Sequence, residues 1–166
     1  MIDLPPPPLT EQIVAERIRP LFSRALAPGR PIYLANHSLG RPPDRMAQDV
    51  ATALDAWYQH MGEAWQPWLD AREKFRALTA QLVGAPSAGS IVPKTAAAQG
   101  LRAVLNAYDG RIRVVSTDAE FDSLDFVLRV YRERGRIDLD LVPPRAEAIV
   151  EALAKRTDLL VVSTVF

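Results

Sequence analysis

The second half of the chain alternates between apolar runs and amphipathic segments, and this alternation limits the possible folds more than any other feature. Strands are predicted at residues 112–116, 137–142 and 159–166, with helices at 121–134 and 145–156 between them. Consecutive strand–helix–strand units imply right-handed crossovers and a parallel sheet covered by helices. The uninterrupted apolar run of the last segment predicts a strand that is buried on both faces. The sequence therefore predicts an α/β fold.

The first half of the chain is predicted to be mainly helical. Thr10 and Glu11 mark the start of a helix, and Pro28 and Gly29 end it. Two further helices, the first capped by Asp44, carry apolar side chains three or four residues apart, which indicates faces that pack in a core. The predicted elements of this half are helices at 10–26, 44–61, 67–83 and 96–108, a strand at 31–35 and a loop at 36–43.

We expect residues 1–30 to form an N-terminal arm and residues 31–166 to form the front part of a larger α/β domain. A strand covered on both faces is normally followed by a loop and a helix, whereas this sequence ends at Phe166 directly after its last apolar run. On this interpretation the domain is truncated. The alternative is a terminal strand that closes a small sheet.

Composition excludes several classes of function. The 20 basic and 20 acidic side chains balance, so there is no global positive charge to hold nucleic acid or an anionic membrane. The chain has no cysteine and only two histidines, which excludes thiolate metal sites and makes us expect no metal. No stretch approaches the roughly 18 apolar residues of a membrane span, and the start lacks the pattern of a signal peptide. We therefore expect a cytoplasmic protein.

Two segments are candidate binding sites. Residues 93–100 join a short strand to a helix, and their small side chains would let a phosphate approach the free N–H groups of the helix start; alternatively, Thr95 merely caps that helix. Residues 120–125 follow the strand at 112–116, where open α/β sheets bind ligands, and Phe121 could stack on an aromatic ligand. The alternative is that Asp118 or Ser123 caps the helix while the apolar side chains pack on the sheet, namely Phe121, Leu124, Phe126 and Leu128.

Taken in order, these pieces resemble the N-terminal portion of a kynureninase, within the class V aminotransferase family of pyridoxal phosphate enzymes. The segment 33–40, with Pro42, resembles the family's strand and its asparagine-serine-leucine-glycine turn, except that His37 stands in place of the asparagine. The resemblance spans roughly residues 31–166. It implies the large domain of the aspartate aminotransferase-like architecture, also called fold type I, and pyridoxal 5′-phosphate as the cofactor.

The resemblance also assigns roles to single residues. Thr95 and Ala96 fall on the family's phosphate-binding pair, which is often two threonines, and Phe121 falls on the aromatic residue that stacks over the pyridine ring. Ser123 matches the serine or threonine that follows, and Ser38 would face the substrate. The family's aspartate three positions after the aromatic residue is Leu124 here, and Asp125 comes one place late.

None of the three lysines, Lys74, Lys94 and Lys155, matches the family's Schiff-base position, so we expect no catalytic residue in this chain and no covalent cofactor. The resemblance implies a small amino-acid substrate, cleaved as by a hydrolase or processed as by a transferase, and a homodimer, with this chain inactive alone. The alternative is a noncatalytic α/β module of the same origin that serves binding or oligomerisation.

Overall fold

The computed structural model describes residues 8–36 and 38–163 of the 166-residue chain. His37 and the last part of the strand predicted at 159–166 lie outside these residues. The chain divides into two compact units, Met1–Ile91 and Val92–Phe166. Among the described residues, no helix has both the length and the apolar character that crossing a membrane requires.

The first unit begins with a helical segment of changing pitch. Helix α1, Glu11–Ile13, continues as a π-helix over Val14–Ile18 and as a 3₁₀-helix over Arg19–Phe22. The Thr10 side chain accepts a hydrogen bond from the Ile13 N–H at 3.2 Å and so caps the first turn. The predicted helix start is confirmed, although the helical segment is less regular than its sequence suggests.

Two long helices form the rest of the first unit. Helix α2 spans Met46–His60, and after a 3₁₀ turn, Met61–Ala64, helix α3 spans Trp65–Val83. Gly84 ends α3 in the left-handed conformation, with φ of 67°, as the sequence predicted. The prediction that Asp44 caps α2 is wrong. Its carboxylate accepts instead from the Ser23 hydroxyl and the Arg24 N–H. The carboxylate therefore bonds to residues earlier in the chain and not to the N–H groups of α2.

The prediction that α2 and α3 present core faces is also wrong for the described residues. Side chains on the predicted apolar faces remain exposed, with Val50, Trp57 and Phe75 at 54%, 55% and 55%. Apolar periodicity identifies the face that a helix can bury, but burial also needs another element that packs against this face. Partial cover comes from aromatic edge-to-face contacts of Trp68 with Trp57 and Trp65, at centroid distances of 6.0 Å and 5.6 Å.

The strand predicted at 31–35 does not form. A strand needs a neighbour for its N–H and C=O groups, and the described structure pairs no strand with this segment. Ile32 and Leu34 are 87% and 83% exposed, while the Tyr33 hydroxyl donates to the Leu39 carbonyl at 2.8 Å and closes the segment onto the following turn. The short strand predicted before residue 93 is likewise irregular.

The second unit contains the predicted parallel sheet. Strands β1, Ile112–Thr117, β2, Ile137–Val142, and β3, Leu159–Leu160, are parallel in the order β2–β1–β3. The helices are α4, Ala97–Asn106, α5, Asp122–Glu133, and α6, Ala146–Leu153. Both predicted strand–helix–strand units are therefore confirmed, and the unit has an α/β fold.

The buried strand is β1 rather than the last one. Val114, Val115 and Ser116 are each 0% exposed, because β1 lies between two strands and under helices on both faces. Leu160 of β3 is 37% exposed, which contradicts the prediction of a last strand buried on both sides. Within the described part of the chain β3 has a strand on one side only, although Val161 extends the pairing by donating to the Val115 carbonyl at 2.9 Å.

The two faces of the sheet have different covers. Helices α4 and α5 pack over one face, where Leu105 and Leu128 join Val114 in the apolar core. Helix α6 lies on the other face, to which Arg113 points. The Arg113 guanidinium forms an ion pair with Asp140 of β2 and donates to the carbonyls of Ala152 and Arg156 and to the Thr157 hydroxyl.

We predict that Arg113→Met destabilises the protein by about 2 kcal/mol, because it leaves several half-buried acceptors without a donor. The matched control is Arg111→Met, since Arg111 pairs with Asp138 on the same two segments but both side chains are more than half exposed. An exposed pair contributes about 0.5 kcal/mol. Urea unfolding of both variants tests this, and equal losses would show that Arg113 is not the link between β1, β2 and α6.

Candidate functional site

The starts of α4 and α5 both lie at the carboxyl edge of the sheet. The Tyr131 hydroxyl in the last turn of α5 donates to Asn106 Oδ1 at the end of α4, at 2.8 Å, so the two helices run in the same direction on one face. Each runs opposite to β1, because α4 leads into the start of this strand and α5 follows its end. Their N-termini therefore share the edge where parallel α/β sheets bind ligands.

The N-terminus of α4 is open. Ala96 is the cap residue, in extended conformation, and no side chain hydrogen-bonds to the cap. The alternative that Thr95 merely caps the helix is therefore wrong. The first N–H groups of a helix have no intrahelical acceptor, and at this terminus Thr95, Ala96 and Ala97 are all exposed. The backbone of residues 97 and 98 is thus available to an anion.

Phe121 occupies the corresponding position at the start of α5. It is the cap residue, without a side-chain capping bond, so capping by Asp118 or Ser123 is also wrong. The packing alternative holds for Leu128, which is fully buried, but not for Phe121 and Phe126, which are 64% and 67% exposed. A helix that covers a sheet buries only one stripe of side chains, and both phenylalanines lie outside it. Ser123 is also exposed.

Glu120 fixes the position of Phe121. This carboxylate is 7% exposed and accepts from the Phe121 N–H at 2.8 Å and from the Ser163 N–H at 2.9 Å, while the Ser163 hydroxyl also donates to it. It therefore joins the loop after β1 to the segment after β3. Sequence reasoning missed Glu120 as a site residue, because its partner is 43 positions away and no local pattern marks it.

Two buried hydroxyls lie at the end of β1. Ser116 and Thr117 are 0% and 1% exposed, and neither hydroxyl has a hydrogen-bond partner among the described residues. Strand alternation places Ser116 on the face of Val114, beneath α4 and α5, and Thr117 on the opposite face. An unpaired buried hydroxyl costs stability, so these two groups mark the end of β1 as a place where the protein departs from ordinary packing.

The acidic residues of α5 are not all available to a ligand. Asp125, one place after the position where the resembling family has its aspartate, forms an ion pair with Arg129 at 2.7 Å. This hydrogen bond and the charge of Asp125 raise the pKa of Arg129 above its ordinary value. The Asp125 carboxylate is thus committed to its own helix, and Leu124 beside it is half-buried.

Thr95, Ala96, Phe121 and Ser123 thus share one edge of the second unit, whereas Ser38 belongs to the first. The Ser38 N–H donates to the Ala35 carbonyl at 3.0 Å, and its side chain is exposed in that turn. The described residues contain no group of three or more acidic or histidine side chains that could hold a metal ion.

The fold and this edge define an α/β protein with a candidate site for a ligand that carries an anionic group and an aromatic ring. Sequence comparison finds relatives of one kind. The chain is 29% identical over 117 residues to the kynureninase of Bacillus thuringiensis subsp. konkukian, covering 68% of this chain and 27% of the relative. It is 27% identical over 122 residues to a kynureninase of Bacillus cereus, covering 71% of this chain and 28% of that protein. It is 28% identical over 117 residues to the kynureninase of Bacillus anthracis, covering 68% and 27%.

The chain is thus similar to kynureninases and spans little more than a quarter of the length of the curated relatives that it matches. No family model matches the chain. No solved structure matches it significantly.

We predict that Glu120→Ala frees the loop before α5. The N–H groups of Phe121 and Ser163 lose their acceptor, so amide hydrogen exchange at both should accelerate and stability should fall by about 1–3 kcal/mol. Glu120→Gln, which keeps an acceptor oxygen, should lose less. The control is Asp118→Ala in the same loop, whose side chain is exposed. Unchanged exchange at Phe121 and Ser163 in Glu120→Ala would contradict this role.

Proposed function

We propose that this chain is the cofactor-binding front portion of a pyridoxal phosphate-dependent enzyme similar to kynureninase. The proposed architecture is the large domain of fold type I, the aspartate aminotransferase-like class, and the proposed location is the cytoplasm. Similarity to several kynureninases and the parallel α/β sheet support the proposal. The observation that carries it is an exposed aromatic ring, Phe121, at the same edge of the sheet as the open start of α4.

The described residues fit a phosphorylated pyridine. The uncapped start of α4 offers backbone N–H groups for the phosphate, and the hydroxyl of Thr95 precedes them. A ring can stack on the exposed face of Phe121, and the buried, unpartnered Ser116 hydroxyl lies on the same face of the sheet. Ser123 follows on the first turn of α5, and we assign its hydroxyl to the cofactor as well.

Glu120 would serve this site by holding the Phe121 backbone, and Ser38 would face a small amino-acid substrate. When bound, pyridoxal phosphate acts as an electron sink for the carbanion of an amino acid. The proposed reaction is hydrolytic carbon–carbon cleavage of kynurenine or an amino transfer. Lys74 lies on α3, Lys94 precedes α4 and Lys155 follows α6. We assign none of them to the Schiff-base position and expect this chain to be inactive alone.

A noncatalytic module for binding or oligomerisation is the second candidate. The exposed apolar faces of α2 and α3 favour association, because large exposed apolar patches mark interaction surfaces. Homodimerisation belongs to both candidates, whereas cofactor binding belongs only to the first.

We predict that Phe121→Ala weakens binding of pyridoxine 5′-phosphate about 2- to 10-fold, because a stacked aromatic face contributes about 0.5–1.5 kcal/mol. This probe lacks the aldehyde, so lysine imines cannot contribute. The matched control is Phe126→Ala, an equally exposed phenylalanine on the same helix. Equilibrium dialysis of the full chain gives the dissociation constants.

A second variant, Ala96→Val, should also weaken binding, because a larger side chain obstructs the approach of phosphate to the helix start. If neither the parent nor the Phe126→Ala protein binds the probe, the cofactor proposal fails and the noncatalytic module is favoured. If Phe121→Ala and Phe126→Ala bind it equally well, the stacking assignment is wrong.

We further predict that the chain self-associates through the α2 face. Leu54→Lys should shift sedimentation towards the monomer at micromolar concentration, because Leu54 is 45% exposed on this apolar face and a lysine there opposes its burial. Gln59→Lys on the same helix is the control and should not change the sedimentation profile. A parent protein that is monomeric at every concentration would contradict the homodimer.

A further inference from the structure

The first unit contains a cavity of about 910 Å³ that the proposed cofactor site does not use. Its walls are the chain around Arg24 and Arg30, the loop at 39–44 and the first turns of α2. Ligand sites in proteins commonly enclose about 300–1,000 Å³ and combine apolar walls with a few polar groups. The cavity is therefore large enough for a small organic molecule.

Hydrogen bonds hold the walls of this cavity in place. The Asp44 N–H donates to the Leu21 carbonyl at 2.8 Å, and the Asp44 carboxylate accepts from the Ser23 hydroxyl and from the Arg24 N–H at 3.0 Å. These two hydrogen bonds, that from Ser23 first, hold the pKa of Asp44 below its ordinary value. These bonds join the end of the 3₁₀-helix and the residues after it to Asp44, two positions before α2, at the cavity.

A second set of hydrogen bonds joins Tyr33 to the loop that lines the cavity. The Tyr33 hydroxyl donates to the Leu39 carbonyl at 2.8 Å, and Arg41 donates to the Tyr33 carbonyl at 3.0 Å. Both contacts join Tyr33 to the residues at 39–41, which line the cavity as well.

The charged groups around the cavity are mostly positive. Arg24, Arg30 and Arg41 line it, against one acidic residue, Asp44, whose carboxylate oxygens are already occupied. Among the described residues no ion pair involves Arg24 or Arg30, although the charge of Arg24 contributes to lowering the pKa of Asp44. A guanidinium has five N–H donors, so Arg41 keeps donors after its bond to Tyr33. The remaining walls are largely apolar, formed by Pro31, Pro42, Pro43, Met46, Ala47 and Val50.

We infer that this cavity binds a small organic carboxylate with an apolar body. The arginines provide charge-assisted hydrogen-bond donors for the carboxylate. The planar guanidinium group can donate to both carboxylate oxygens at once. The proline, methionine and valine side chains offer apolar contact to the body of the ligand, which makes an inorganic anion a poorer ligand than an organic one. This inference goes beyond the proposed cofactor site and does not rest on it, since all the residues involved belong to the first unit. The cavity does adjoin the proposed substrate position, because the loop at 39–44 follows directly after Ser38.

The test uses 2-naphthoate as the probe and 2-naphthamide as its neutral counterpart, each titrated into the full chain by calorimetry. Naphthoate should bind at least tenfold more tightly than naphthamide, and 10 mM inorganic phosphate should not displace it. Arg30→Gln and Arg24→Gln should each weaken naphthoate about five- to tenfold, whereas Arg45→Gln, a neighbouring arginine outside the cavity that pairs with Asp49, should have no effect.

Ala47→Phe places a large side chain in the cavity and should abolish naphthoate binding, while the midpoint of urea unfolding stays near that of the parent. If this variant unfolds, Arg30→Gln and Arg24→Gln provide the test. Equal affinity for naphthoate and naphthamide, displacement by phosphate, or unchanged binding in both Arg30→Gln and Arg24→Gln would each overturn the inference. Phe121→Ala should retain naphthoate binding, so failure of the cofactor proposal and failure of this inference are distinguishable.

Discussion

Strand β1 is almost entirely removed from solvent, and the organisation of the second unit follows from this burial. Val114, Val115 and Ser116 have no exposed surface, so their backbone N–H and C=O groups must pair with neighbouring strands on both sides. Parallel neighbours require crossovers through helices, and these helices provide the cover over both faces. The same topology brings the starts of α4 and α5 to the carboxyl edge, where the candidate site lies.

Two side chains with charged groups fasten this sheet at its opposite ends. Arg113, near the start of β1, donates to acceptors before and around the beginning of β3, and Glu120, just after β1, accepts from Ser163 beyond the end of β3. Both side chains have several hydrogen-bond partners, and a charged group that is largely removed from water is tolerated only when it has such partners. Glu120 also holds the backbone of Phe121, so the same contact that secures β3 orients the candidate site.

The sequence was sufficient to predict the parallel sheet, because the strand and helix periods are local and the crossover rule supplies the topology. It was also sufficient to find the stop of α3, since Gly84 adopts the conformation that glycine favours. It did not predict the role of Asp44 or the link through Glu120, because their partners are 20 to 43 positions away. The failed strand at 31–35 has the same origin: a short apolar and aromatic run between turn residues indicates a strand, but only a neighbour can pair it. Phe121 could be proposed from its place after a strand and Ser123 from the family resemblance, whereas the buried hydroxyl of Ser116 became visible only in the folded chain.

Binding of a phosphorylated pyridine at the carboxyl edge of this sheet can be followed by an amide NMR titration of the full chain with pyridoxine 5′-phosphate. We expect saturable shifts at the N–H groups of Ala97, Ala98 and Phe121, at the open start of α4 and the start of α5. Shifts confined to residues of the first unit, or no saturable shift at these three amides, would contradict it.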